Sequence, residues 1–157
     1  MRRILIALAI FTIIGMATDS GHRAVAAADT EVSAAAEGVF PSGASLSGIS
    51  LQGSTFAIGI VVRSDGSAVG EFQTVLLGST LLGRSQSISL EGPVQGGSAS
   101  APGTVSFWGT ATLNMGDGTP ATEIPFNAIA TTSGLRLTIG ATELPTQTLG
   151  GGSIFIR

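Results

Sequence analysis

Cysteine, lysine and tyrosine are missing from this chain, and histidine and tryptophan occur once each. Without cysteine there is no disulfide, no thiolate nucleophile and no lipid-modified N-terminal cysteine, so an exported domain would have to be held by its core alone. The one histidine, His22, lies within the first 28 residues. Beyond it no imidazole or amine side chain is left to activate the many serines, and a zinc site lacks its usual ligands. Neither a metal nor a cofactor is therefore expected. Cationic charge is scarce as well. After Ala28 there are nine acids against four arginines (Arg63, Arg84, Arg136 and Arg157), a net charge of −5. Such a surface offers no basic stripe for a phosphate backbone, which argues against nucleic acid as a partner. With no tyrosine and one tryptophan, the aromatic girdles of an outer-membrane barrel cannot be built. The longest apolar run, Ile4 to Ala17, is shorter than the roughly 20 residues a membrane-spanning helix needs.

That run follows two arginines and precedes a polar stretch ending in alanines, which is the layout of a secretory signal peptide. Cleavage after Ala26 or Ala28 satisfies the small-x-small rule, with Ala28 favoured. The expected organisation is a signal helix over residues 1–28, a lead-in over 29–38 ("DTEVSAAAEG"), flexible or forming a short helix, and a single antiparallel β domain over 39–157. The expected location is secreted or periplasmic. About 130 mature residues suffice for one hydrophobic core.

From Val39 onward, short runs of Val, Ile, Phe, Leu and Thr are broken by Gly, Ser, Asp and Pro about every 8 to 12 residues, the signal of an all-β sandwich or barrel. Side-chain parity tests that reading, because a slip of one residue sends every side chain to the wrong face. Phe56, Ile58, Ile60 and Val62 share a face, as do Phe72, Thr74 and Leu76. Joining even to even requires an odd loop, supplied by Ser64-Asp65-Gly66 as a type I turn with a glycine bulge. Ile58 then faces Phe72, and Ile60 faces Gly70. Phe126, Ala128 and Ala130 must meet Leu135, Leu137 and Ile139 across an even loop, taken as Ser133-Gly134, which sets Ala130 opposite Leu137 and Ala128 opposite Ile139. Val105, Phe107, Gly109 and Ala111 meet Ile124, Phe126 and Ala128 across a wider even connection around "GDGTPA". Leu46–Leu51, Ser87–Val94 and Leu144–Leu149 complete the set, with a terminal strand after Gly150–Gly152. About eight antiparallel strands result. A small meander barrel and a two-sheet β-sandwich both suit that number, and the consecutive hairpins favour the barrel.

Few residues qualify for chemistry. Asp117 in "GDGTP" is a turn residue first, since calcium wants six or more oxygens and only one carboxylate is at hand. Asp65 in "SDGS" has the same explanation. Glu71 and Glu123 fall on outward strand faces, where paired glycosidic catalysis would demand a close approach. The best candidate surface is outward on one strand pair: Trp108, Thr110 and Thr112 alternate beside Asn127, so that an indole face bordered by polar groups could stack on a sugar ring. Inside, Gly109, Ala111, Ala128 and Ala130 form a small-residue patch that would be filled by phenylalanine or would leave room for an apolar ligand.

The stretch "GTVSFWGTATLNMGDGTPATEIPF", followed by "SGLRLTIGATELPTQTLGGGSIFIR", resembles a loose group of small exported bacterial all-β proteins of unknown function. The resemblance covers roughly residues 66–157 and consists of an F-x-G-T-A strand, a D-G-T-P turn, G-L-x-L-x-I-G and G-S-I-x-I. It implies export and a compact β domain, and it carries no catalytic motif. The chain is thus expected to be a non-enzymatic binding or structural module at the cell exterior. A carrier of a small apolar ligand and a polysaccharide-binding face around Trp108 are the alternatives.

Overall fold

The computed structural model describes residues 28–116 and 118–157. Residues 1–27 of the expected leader (1–28) and Asp117 lie outside the described residues. Ten strands follow in chain order: β1 (Thr30–Val39), β2 (Ser45–Leu46), β3 (Ile49–Val62), β4 (Ala68–Ser79), β5 (Ser85–Ala101), β6 (Thr104–Asn114), β7 (Ala121–Thr131), β8 (Gly134–Ile139), β9 (Thr142–Glu143) and β10 (Gln147–Ile156). All their pairings are antiparallel.

Eight strands close into a ring in the order β1, β10, β8, β7, β6, β5, β4, β3, with β3 returning to β1. The connectivity is barrel-like, a meander from β3 to β8 completed by the first and last strands, β1 and β10. The strands form one hydrogen-bonded sheet that closes on itself, joined between β10 and β8 by the pairs Gln147–Leu135 and Thr148–Gly134. The two short strands lie off the ring: β2 folds back on β3, and β9 on β8, where an exposed Arg136–Glu143 ion pair at 3.2 Å joins the latter two.

Parity accounts for the core. Phe56, Ile58, Ile60 and Val62 point inward from β3, and Phe72, Thr74 and Leu76 from β4, with Ile58 opposite Phe72 and Ile60 opposite Gly70. The three-residue turn between them closes through Arg63 N–H to Ser67 O (2.8 Å) and Gly66 N–H to Arg63 O (3.0 Å). Gly66 sits at φ +85°, a left-handed conformation that favours a residue without Cβ. In the middle of the ring Phe72, Phe107 and Phe126 meet with centroids 5.3–6.5 Å apart, tilted or edge to face, the arrangement that aromatic quadrupoles prefer.

Four expectations are corrected. Residues 29–38 are not a lead-in: Thr30–Val39 is a full strand bonded on both sides, to β10 and to β3. Its alanines concealed the period, because Val32 and Ala36 are buried while Glu37 and Val39 face out. Leu46–Leu51 is split by a two-residue turn at Ser47 (φ 50°) and Gly48 (φ 81°), both in the left-handed region that such hairpins require. The β7–β8 loop is Thr132-Ser133, so Ala130 faces Leu135 and Ala128 faces Leu137, two residues from the expected pairs with the parity kept. Gly134 belongs to β8 because β10 crosses it closely: a Cβ there would lie 2.3 Å from Gln147 O. Finally, Leu144–Leu149 is not one strand. Residues 144–146 carry none, and β10 starts at Gln147 and runs through the glycine triplet, with Gly150 as the extra residue where its register against β1 shifts.

Candidate functional site

The outward face of β6 and β7 holds the four residues singled out from sequence. Trp108 lies opposite Asn127, Thr110 opposite Pro125, and Thr112 opposite Glu91 of β5. Trp108 is 42 % exposed and seated on the neighbouring strand: three ring atoms lie 2.5–2.8 Å from where a Cβ on Gly96 would be. The indole therefore covers a strand glycine with one face and leaves the other partly in solvent. Thr110 Oγ1 accepts a hydrogen bond from Gln95 Nε2 at 3.1 Å, so its hydroxyl is already engaged.

The acids are dispersed. Asp65 Oδ1 accepts from Ser67 Oγ at 2.6 Å and from Ser67 N–H at 2.9 Å within the turn. Those bonds, with Arg63 adding a smaller attraction, hold its carboxyl below the usual carboxylate range. Glu71 faces out from β4 and Glu123 from β7, with β5 and β6 between their strands, so the two are not brought together. Glu123 instead occupies a bulge in β7 at φ 56°. Glu71 is closer to Glu91, diagonally across the β4–β5 ladder, and both line a shallow pocket of about 250 Å³ that includes Thr112. Among the described residues, no three His, Cys, Asp or Glu side chains gather in one place.

Within the ring, Phe107 lies opposite Ala128 and the phenylalanine cluster occupies the centre, so large rings complement the small residues. A cavity of about 590 Å³ lies on the outside instead, across β10, β1, β3, β4 and β5. Two adjoining cross-strand rows shape it. One runs from Ala35 through Ala57 and Gln73 to Glu91, the other from Glu37 through Thr55 and Val75 to Ser89. The short side chains Ala35 and Ala57, with Gly151 beside Glu37, leave the surface recessed. Glu37, Gln73 and Glu91 reach further and form its polar rim, and no arginine contributes to the lining. The groove could not be foreseen from the chain: one side of it stands on β1, at Ala35 and Glu37, and the alanine-rich stretch there has no visible strand period. The clue lay in the outward alternation of Ala35 and Glu37, legible only once that segment is known to be extended.

Compared with known protein families, with curated proteins and with solved structures, the chain matches none.

Proposed function

We propose that this chain is an exported binding or structural module without enzymatic activity, and that its binding surface is the outer groove. The observation that carries the reading is the groove's lining, an apolar floor at Ala35, Ala57 and Val75 flanked by the carboxylates of Glu37 and Glu91. That combination suits a partner group with an apolar body and a cationic or hydrogen-donating head. The phenylalanine cluster inside the ring supports a site outside it over a carrier's internal void. Export is supported by the basic-apolar-small layout at the N-terminus and by the resemblance to small exported bacterial β-proteins. The non-enzymatic reading is supported by the lack of His, Lys and Cys after residue 28 and by the separation of Glu71 from Glu123.

A second reading, a polysaccharide-stacking face, draws on the half-exposed indole of Trp108 resting on Gly96. One experiment addresses both. Protein purified from its own host is examined by native mass spectrometry for retained ligands and assayed for retention on polysaccharides, alongside Ala57→Trp, which plugs the groove, and Trp108→Ala. Loss of a retained species in Ala57→Trp alone supports the groove. Loss of polysaccharide retention in Trp108→Ala alone transfers the function to the β6–β7 face, and indifference of both readouts to Ala57→Trp removes the groove from consideration.

A further inference from the structure

The hairpin joining β4 to β5 presents two leucines to water at its tip. Leu81 is 99 % and Leu82 84 % exposed. The turn closes through Thr80 N–H to Arg84 O (3.0 Å) and Gly83 N–H to Thr80 O (2.9 Å), with Gly83 at φ 72°. The β3–β4 turn described above has the same construction: the same two hydrogen bonds, three loop residues, and a glycine at φ 85° in third place. There the two leading positions are Ser64 and Asp65. The molecule therefore contains its own control. This turn geometry is made from polar residues at one hairpin, so the leucines at the other are not demanded by the turn, and neither packs on the core. Each forgoes the burial that a contact would recover.

The charge around the tip is equally one-sided. Between Glu71 and Glu91 the hairpin carries a single charged residue, Arg84. A surface that would receive it should be recessed, apolar at its floor and acidic at its rim. The outer groove has those properties, with Ala35, Ala57 and Val75 below and Glu37 and Glu91 at the sides. The tip cannot reach the groove of its own molecule. Val75, on the groove floor, belongs to the same strand as the tip and lies six residues before Leu81, about 20 Å away along a stiff ladder.

Resting on the groove as the binding surface, we infer that its occupant is the Leu81-Leu82-Arg84 tip of a second copy of this chain. The contact inferred is head to tail and not a reciprocal exchange between two copies: every copy gives a tip to one neighbour and receives one from another, and assembly continues past the dimer into a ring or a filament, so that a wild type that stops at the dimer overturns it. One knob in one groove is a small interface of the weak class, and association is expected at high rather than trace concentration.

Sedimentation velocity over a concentration series tests this with wild type, with three variants that each remove the contact, Leu81→Ser/Leu82→Ser, Arg84→Glu and Ala57→Trp, and with one charge-swapped variant that restores it. The serine positions are solvent-exposed, and unchanged thermal unfolding verifies that the variants fold. Wild type is expected to form species larger than dimers, and each of the first three variants to associate at least tenfold more weakly. Mixing the tip-deficient and groove-plugged variants is expected to yield a dimer and nothing larger, because one contributes only a groove and the other only a tip. Arg84→Glu combined with Glu37→Lys/Glu91→Lys is expected to regain association. A wild type monomeric throughout, association of equal strength in the serine variant, or failure of the mixed pair to form overturns the inference. So does a monomeric wild type that binds lipid vesicles through Leu81 and Leu82, which would make the tip a membrane contact. A monomeric wild type leaves the groove reading standing, since that reading falls only on the Ala57→Trp ligand result.

Discussion

Gln147 reaches across a neighbouring strand to find its partner. It extends from β10 into the space left by the missing side chain of Gly38 on β1, where Ser54 Oγ of β3 donates to its Oε1. Three strands are thereby tied at the seam of the ring. Gln147 is 1 % and Ser54 3 % exposed, and Gln147 Nε2 has no partner among the described residues. Ser54→Ala should cost about 1–3 kcal/mol, because it strands a second buried group of the amide. The double variant Ser54→Ala/Gln147→Met should come closer to wild type than Ser54→Ala alone, and urea unfolding of the two compares them directly. Asp65 is the contrasting case, an exposed carboxylate that serves its own turn. Its folded-state pKa lies below the unfolded one, so its contribution is present above about pH 4 and disappears as the pH falls through the lower, folded value. Asp65→Asn should therefore be less stable than wild type at neutral pH, with the difference closing in acid. Thermal unfolding between pH 7 and pH 2 measures it, and a constant gap would contradict this account.

At the scale of elements, hairpins were legible wherever a polar turn separated two strands with clear alternation. The parity of Phe56–Val62 against Phe72–Leu76 led to the correct turn and the correct pairs, since Asp65-Gly66 marks the bend chemically as well as numerically. At β7–β8 parity was right and the pairs were not. Gly134 reads as a turn residue locally, while the constraint on it is the close passage of β10, which is remote in sequence. β1 escaped notice because alanine contributes little to hydropathy contrast. Its importance follows from its position, hydrogen-bonded along both edges. Ala34→Pro removes a ladder donor where no edge can absorb the loss, and the stranded carbonyl alone costs about 1–3 kcal/mol. The expected result is a large drop in the urea midpoint with loss of the β signal in circular dichroism. An unperturbed midpoint would mean that β1 does not close the ring.

For the molecule as a whole, closure makes the first and last strands neighbours, with Val32 opposite Ile156 and Glu31 exchanging backbone hydrogen bonds with Arg157. It also reduces the free edge that an open meander would present, since β1 is paired on both sides and β10 meets β8 at Gln147 and Thr148. The surface relief on which the proposed recognition rests is made of side chains: a recess where short residues from distant strands line up, and a leucine tip that stands clear of it. In the candidate site, Trp108, Thr110, Thr112 and Asn127 could be put on one face from alternation alone. The groove could not, because its two rows draw on four strands and β10 adds Gly151 and Gly152 to the lining.

The amino-acid sequence by itself determined the all-β class, the inward and outward faces of most strands and the chemistry that is missing, because period, turn residues and composition act locally. The closing of the sheet through β1, the correct partner of Gly134 and the outer groove were decided only in three dimensions. Each depends on which strands become neighbours after the ring is sealed, and local alternation carries no record of that.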